Sequence, residues 1–121
     1  MKFREYELST GKVVFAGKDA GNNEKLVEAA EPEDVLLHTA KPGSPFVNVG
    51  EKPLKKEIKE AAVFCAFRSQ DWRDNKGDVV VHVFKKSNVY KKEGMKLGCF
   101  GVKKYDDEII VKKSKIEKFD G

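Results

Sequence analysis

Cysteine is scarce in this chain. Cys65 and Cys99 are the only two in 121 residues, and neither has a second cysteine nearby, so zinc-type spacing and a redox pair are both excluded. Each reads as a buried, reduced thiol, because free cysteine packs as a small hydrophobe. No run approaches the roughly 18 apolar residues that cross a bilayer. The opening MKFREYELSTGK also lacks the apolar centre of a secretory signal. A cytoplasmic protein with no membrane partner is expected. Catalytic signatures are missing as well. There is no G-x-x-x-x-G-K-[ST] or G-x-G-x-x-G phosphate loop, and no G-x-S-x-G elbow around Ser44. His38 and His82 stand singly, with no carboxylate or cysteine at ligand spacing. The carboxylates are scattered, and none are paired by spacing for acid–base work. The expectation is a chain that is not an enzyme, with no catalytic residue, no metal site and no cofactor.

What is present suits one folded domain spanning residues 1–121. Hydrophobic residues make up 40% and charged residues 36%, which is polar for a globular protein but far from a disordered composition. The net charge of +4 is unevenly placed: residues 1–84 hold 13 Lys/Arg against 14 Asp/Glu, and residues 85–121 hold 11 against 6. The excess therefore falls on the last third, which contains Lys85, Lys86, Lys91, Lys92, Lys103 and Lys104. One shared cationic face would attract a polyanion; a merely solvated lysine surface is the alternative.

FREYEL and KVVFAGK alternate in polarity around Ser9, Thr10 and Gly11 and read as a hairpin. Leu26, Val27 and Ala30 recur at helical spacing, and DVLLHT and FVNVG read as strands around the turn KPGSP. A long helix is expected from Pro53 to about Asn75, with Leu54, Ile58, Ala61, Ala62, Cys65 and Trp72 in one sector. Val63 and Phe67 point away from that sector, which calls for cover on a second side or a protein partner. DVVVHVFKK, KLGCFGVKK and DEIIVKK read as strands, with SNVYKKEGM as a connection. The fold expected is α+β, a largely antiparallel sheet with two helices packed on it, in the order β-β-α-β-β-α-β-β-β.

GKDAGNNE crowds glycines and amides against a helix start. It could cradle a phosphate, or cap the helix through Asp19 or Asn22. A third reading combines cap and anion site, offering Lys18, Asn22 and Asn23 to a nucleic acid. Arg68 falls one helical turn from Trp72, close enough to stack on the indole. The pair is either a core tryptophan edged by arginine or the lining of an RNA groove.

AGKDAGNNEKLV, DVLLHTAKPGSPFVNV, EAAVFCAFRSQDW and VVVHVFKKSNVYKKEGMKLGCFGVKK follow one another here in the order of the blocks of the NFACT-R domain. That domain is the RNA-binding module of ribosome-quality-control NFACT proteins, and the resemblance runs from about residue 3 to 112. It is most distinctive at Gly17, Lys18, Ala20, Asn23 and Leu26. The resemblance implies RNA binding, with tRNA or rRNA as partner and the large ribosomal subunit or an RNA-modifying enzyme as further partners. The family's polar cluster corresponds to Lys18, Asn23, His38 and Ser44, and its basic strand region to Lys85, Lys86 and their neighbours.

Full NFACT proteins also carry an N-terminal domain, helix-hairpin-helix segments and a coiled coil, none of which is found in these residues. The expectation is a standalone module, and tail elongation is not carried over. The resulting site combines the Gly17–Asn23 turn, His38, Lys41 and the Gly43–Ser44 turn with the late lysines. A small RNA-modification enzyme or accessory subunit with a nucleotide-binding pocket is the alternative, and a protein-docking module using Val63 and Phe67 is a third. Oligomeric state is open.

Overall fold

The computed structural model describes residues 2–120. β1 (Arg4–Glu7) and β2 (Val13–Ala16) form the expected hairpin, with Arg4 opposite Ala16. α1 (Ala20–Ala29) follows, then β3 (Asp34–Thr39) and β4 (Val47–Glu51). The helix expected from Pro53 to Asn75 is two helices, α2 (Lys55–Phe67) and α3 (Gln70–Asn75). The break falls at Ser69, whose Oγ accepts the Trp72 N–H at 3.2 Å and donates to the Ala66 carbonyl at 2.6 Å. This serine caps a new helix instead of continuing the old one.

β5 (Val79–Lys85) is the longest strand of the second half. β6 (Val89–Tyr90) lies in the segment expected to be a connection, and β7 (Gly101–Val102) is all that forms of the strand expected at KLGCFGVKK. Gly98 at φ +79 and the Cys99 N–H on the Lys96 carbonyl turn the chain there. β6 and β7 pair only with each other, as a separate ribbon. β8 (Asp107–Val111) and the unexpected α4 (Lys113–Glu117) complete the chain.

β1-β2-β4-β3-β5-β8 is one sheet with every pairing antiparallel, confirming the α+β class and its antiparallel sheet. Alternation sends successive side chains to opposite faces. Val35, Leu37, Val81 and Val83 meet α2 and α4 on one face, while Leu36 and Phe84 meet α1 through Leu26, Val27 and Ala30 on the other. Val63 and Phe67 find their second cover within the chain: both pack on the core of the α2 face, and the Phe67 ring lies 4.8 Å from Phe119, just past α4. That removes the motive for a partner at this point. Among the described residues no helix is long and apolar enough to cross a membrane.

Candidate functional site

One end of the sheet opens into a cleft of about 620 Å³. Its floor is the α1 face of the sheet, where His38 on β3, His82 and Phe84 on β5, and Phe46 ahead of β4 project together. One wall is the turn Gly17–Asn23 that enters α1, and the facing wall is the segment from Leu97 through Val102 to Tyr105. The turn Pro42–Pro45 and the α2–α3 junction close the end.

The α1 turn is held by its own polar residues. Asp19 caps the helix by accepting the Asn22 N–H at 2.8 Å, and Asn22 Oδ1 accepts the Lys18 N–H at 2.9 Å. Asn22 is only 5% exposed and does not line the cleft; its Oδ1 is used inside the turn and its Nδ2 donates to the Lys2 carbonyl at 3.4 Å. Asn23 does line it. Its Oδ1 accepts the Phe46 N–H at 3.0 Å, tying the turn to β4 and leaving Nδ2 without a partner among the described residues. Gly17 is required at this point because a Cβ there would collide with the Asn23 amide.

His38 is half-buried, its ring 4.5 Å from Phe46. Nδ1 lies 2.7 Å from the Thr39 carbonyl. A carbonyl can only accept, so Nδ1 carries the proton of the neutral ring and Nε2 is left as an acceptor. Burial holds the His38 pKa below its ordinary value, helped by the charge of His82 and opposed by the Thr39 bond. Ser44 Oγ accepts the Thr39 N–H at 3.1 Å and donates to the Pro45 carbonyl at 3.0 Å. Ser44 therefore shapes the turn.

Among the described residues four cationic side chains line the cleft, Arg4, Lys18, Arg68 and Arg73, against the single carboxylate of Asp19. Arg4 and Arg73 escape a reading of the sequence, because tertiary pairing brings them there: Arg4 sits opposite Ala16, next to Gly17, and Arg73 reaches back to the Arg68 carbonyl at 3.2 Å. The expected Arg68–Trp72 stack does not form. The Arg68 guanidinium lies over Phe67 at 5.6 Å, and Lys76 covers the Trp72 ring at 4.9 Å. Trp72, 7% exposed, belongs to the core.

The late lysines act differently from a free cationic face. Lys85 pairs with Glu33 at 3.2 Å, and Lys86 donates to the Ala30 carbonyl at the end of α1. Lys91 bonds Glu24 of α1 and the carbonyls of Lys96 and Cys99, with its ammonium 4.7 Å from the Phe100 ring centre. Lys92 lies over Tyr90 at 5.5 Å, and Lys41 faces Asp71 at 3.7 Å beside the closing turn. None of these lines the cleft. Lys103 and Lys104 are exposed between β7 and Tyr105, at its edge. Lys112 faces Asp78, and α4 with its lysines packs on α2, so the C-terminal charge is divided between the two faces. Cys99 is exposed and lines the cleft, contrary to the expectation of two buried thiols, whereas Cys65 is buried. Among the described residues no group of three or more metal-ligating side chains occurs.

The family model described as the NFACT protein RNA binding domain matches residues 2–104. Among solved structures, the C-terminal part of the fibronectin/fibrinogen-binding protein from Streptococcus suis superposes with a TM-score of 0.82 at 23% identity. The match covers 97% of this chain and 48% of that one. This chain thus spans about half of that structure, and the likeness is one of fold. No curated protein matches the sequence.

Proposed function

The chain belongs to the NFACT RNA-binding domain family, and from that premise we propose that it is a non-catalytic cytoplasmic module that takes tRNA or rRNA into the cleft between the sheet and the β6–β7 ribbon. The observation that carries this reading is the charge of the cleft: four cations face one carboxylate, and that carboxylate is occupied in capping α1. Phosphates supply the affinity such a surface recognises. The polar groups Lys18, Asn23 Nδ2 and His38 Nε2 add position and orientation. A role beside the large ribosomal subunit in quality control, or beside an RNA-modifying enzyme, follows from the family and belongs to the same proposal.

Filter binding of tRNA, rRNA fragments and DNA at two salt concentrations tests it. Lys18→Glu lowers RNA affinity and reduces the salt slope by about one for each phosphate left unneutralised. Unchanged affinity of this variant for every RNA would count against the cleft.

The concave shape around Asn23 and His38 also favours a second reading, an accessory subunit that holds a small nucleotide in the cleft. Native mass spectrometry separates the two. A co-purifying nucleotide supports the accessory subunit, and a bare chain supports the RNA module.

A further inference from the structure

Arg68 sits at the C-terminal end of α2 with its Nε buried and without a hydrogen-bond partner among the described residues. Buried polar groups are nearly always paired, and an orphaned donor carries its full desolvation penalty. Burial lowers the Arg68 pKa, and the nearby charge of Arg4 lowers it further. Two like charges and an unmatched donor therefore converge at one end of the cleft, where the Phe67 ring under the Arg68 guanidinium offsets part of the charge but leaves Nε without an acceptor among the described residues. An anion there would accept from the guanidinium fork and offset the repulsion.

The other end is aromatic. Tyr105 is 49% exposed; its ring rests 4.2 Å from His82 and meets Phe84 edge-on at 5.9 Å. Phe100 stands edge-on to Phe46 at 5.6 Å. Between the two ends lies the acceptor Nε2 of His38. Resting on the RNA-binding reading above, we propose that the cleft holds one unpaired nucleotide of an RNA strand. Its phosphate lies on Arg68 with Arg4 and Arg73, and its base lies against Tyr105 and Phe100. A duplex keeps its base faces stacked on one another and offers this cleft only its backbone, whereas an unpaired base presents a free π-face. The module accordingly reads loops and ends.

Fluorescence anisotropy on the full chain tests the clamp with a labelled mixed-sequence RNA oligonucleotide, free or annealed to its complement, and with tRNA. The free strand binds about tenfold tighter than the annealed one. Arg68→Met weakens the free strand by about tenfold while leaving the melting temperature unchanged or higher, because the orphaned donor and its repulsion are gone. Arg68→Lys stays weak, since an ammonium keeps the charge but not the fork. Tyr105→Ala, checked for an unchanged melting temperature, weakens the free strand by about tenfold and Tyr105→Phe restores it. Equal affinity for free and annealed strands, with Tyr105→Ala at wild-type affinity, overturns the clamp and leaves RNA binding standing. Absence of binding to all three RNAs overturns the reading beneath it.

Discussion

A thiol reacts through its thiolate, so the two cysteines of this chain separate by environment. Burial pushes the Cys65 thiol up to about 12, whereas Cys99 is exposed in the cleft wall. Iodoacetamide should modify Cys99 in the folded protein and reach Cys65 only on unfolding, as read by peptide mass spectrometry. Bound RNA should slow the Cys99 reaction; equal labelling of both cysteines in the native state would contradict the packing. His38 makes a second residue-scale prediction. Its folded pKa lies below the ordinary 6.5, chiefly because of burial, so the unfolded chain takes up its proton first as pH falls. The stability linked to this ring is complete above about pH 6.5 and is lost as pH drops through the folded value. Denaturation midpoints followed from pH 7 to 5 should fall in the wild type and fall less in His38→Gln. Glu24, Glu57 and Glu60 also have lowered pKa values, but from an ordinary 4.5, so their loss comes at lower pH.

Among the elements, α1 links the stability of the fold to the wall of the cleft. Asp19 caps it and is also, among the described residues, the only carboxylate lining the cleft. Asp19→Ala should cost about 1 kcal/mol in urea denaturation. Asp19→Ser, an equally good cap without charge, should hold stability within about 0.5 kcal/mol and tighten RNA binding. The facing wall is latched to the same helix: Glu24 accepts the Gly98 N–H at 2.7 Å and the Lys91 ammonium at 3.1 Å. A Cβ on Gly98 would lie 2.8 Å from the Ala20 carbonyl oxygen, on a backbone at φ +79. Gly98→Ala should therefore destabilise by more than about 1 kcal/mol and speed amide exchange across residues 97–102. The hairpin, α1, β3, β4 and β5 were legible in the sequence because period and turn residues agreed there. The break at Ser69 was missed because the apolar stripe runs on through it to Trp72, and the hydroxyl's two bonds that cap α3 leave no mark in that pattern. KLGCFGVKK looked like a strand because its apolar residues alternate, while the backbone need of Gly98 does not show in a polarity pattern. Gly17, Asn23, His38 and Ser44 converge as expected, since each lies at a turn or strand end marked in the sequence. Arg4 and Arg73 reach the cleft only through pairing and helix packing, which no local pattern reports.

Across the whole molecule, the uneven net charge of the sequence does not become one cationic face. The excess of lysine after residue 84 suggests one cationic face, yet several of those ammonium groups act as clamps, and the rest lie on both sides of the sheet. A clamped lysine still adds to the long-range field, but within a Debye length of about 8 Å only charges near the cleft act strongly on its ligand. Lys103 and Lys104 flank the cleft edge, whereas Lys113 and Lys115 belong to α4 on the far layer. The two pairs carry the same charge and are all exposed, so charge reversal tests position alone. Lys103→Glu with Lys104→Glu should lower tRNA affinity and reduce the salt slope by about one to two. Lys113→Glu with Lys115→Glu should leave the slope close to wild type, with only a small uniform loss at low salt. If the two double variants lose affinity equally across the salt series, RNA contacts both layers of the sheet and the cleft is not the principal surface.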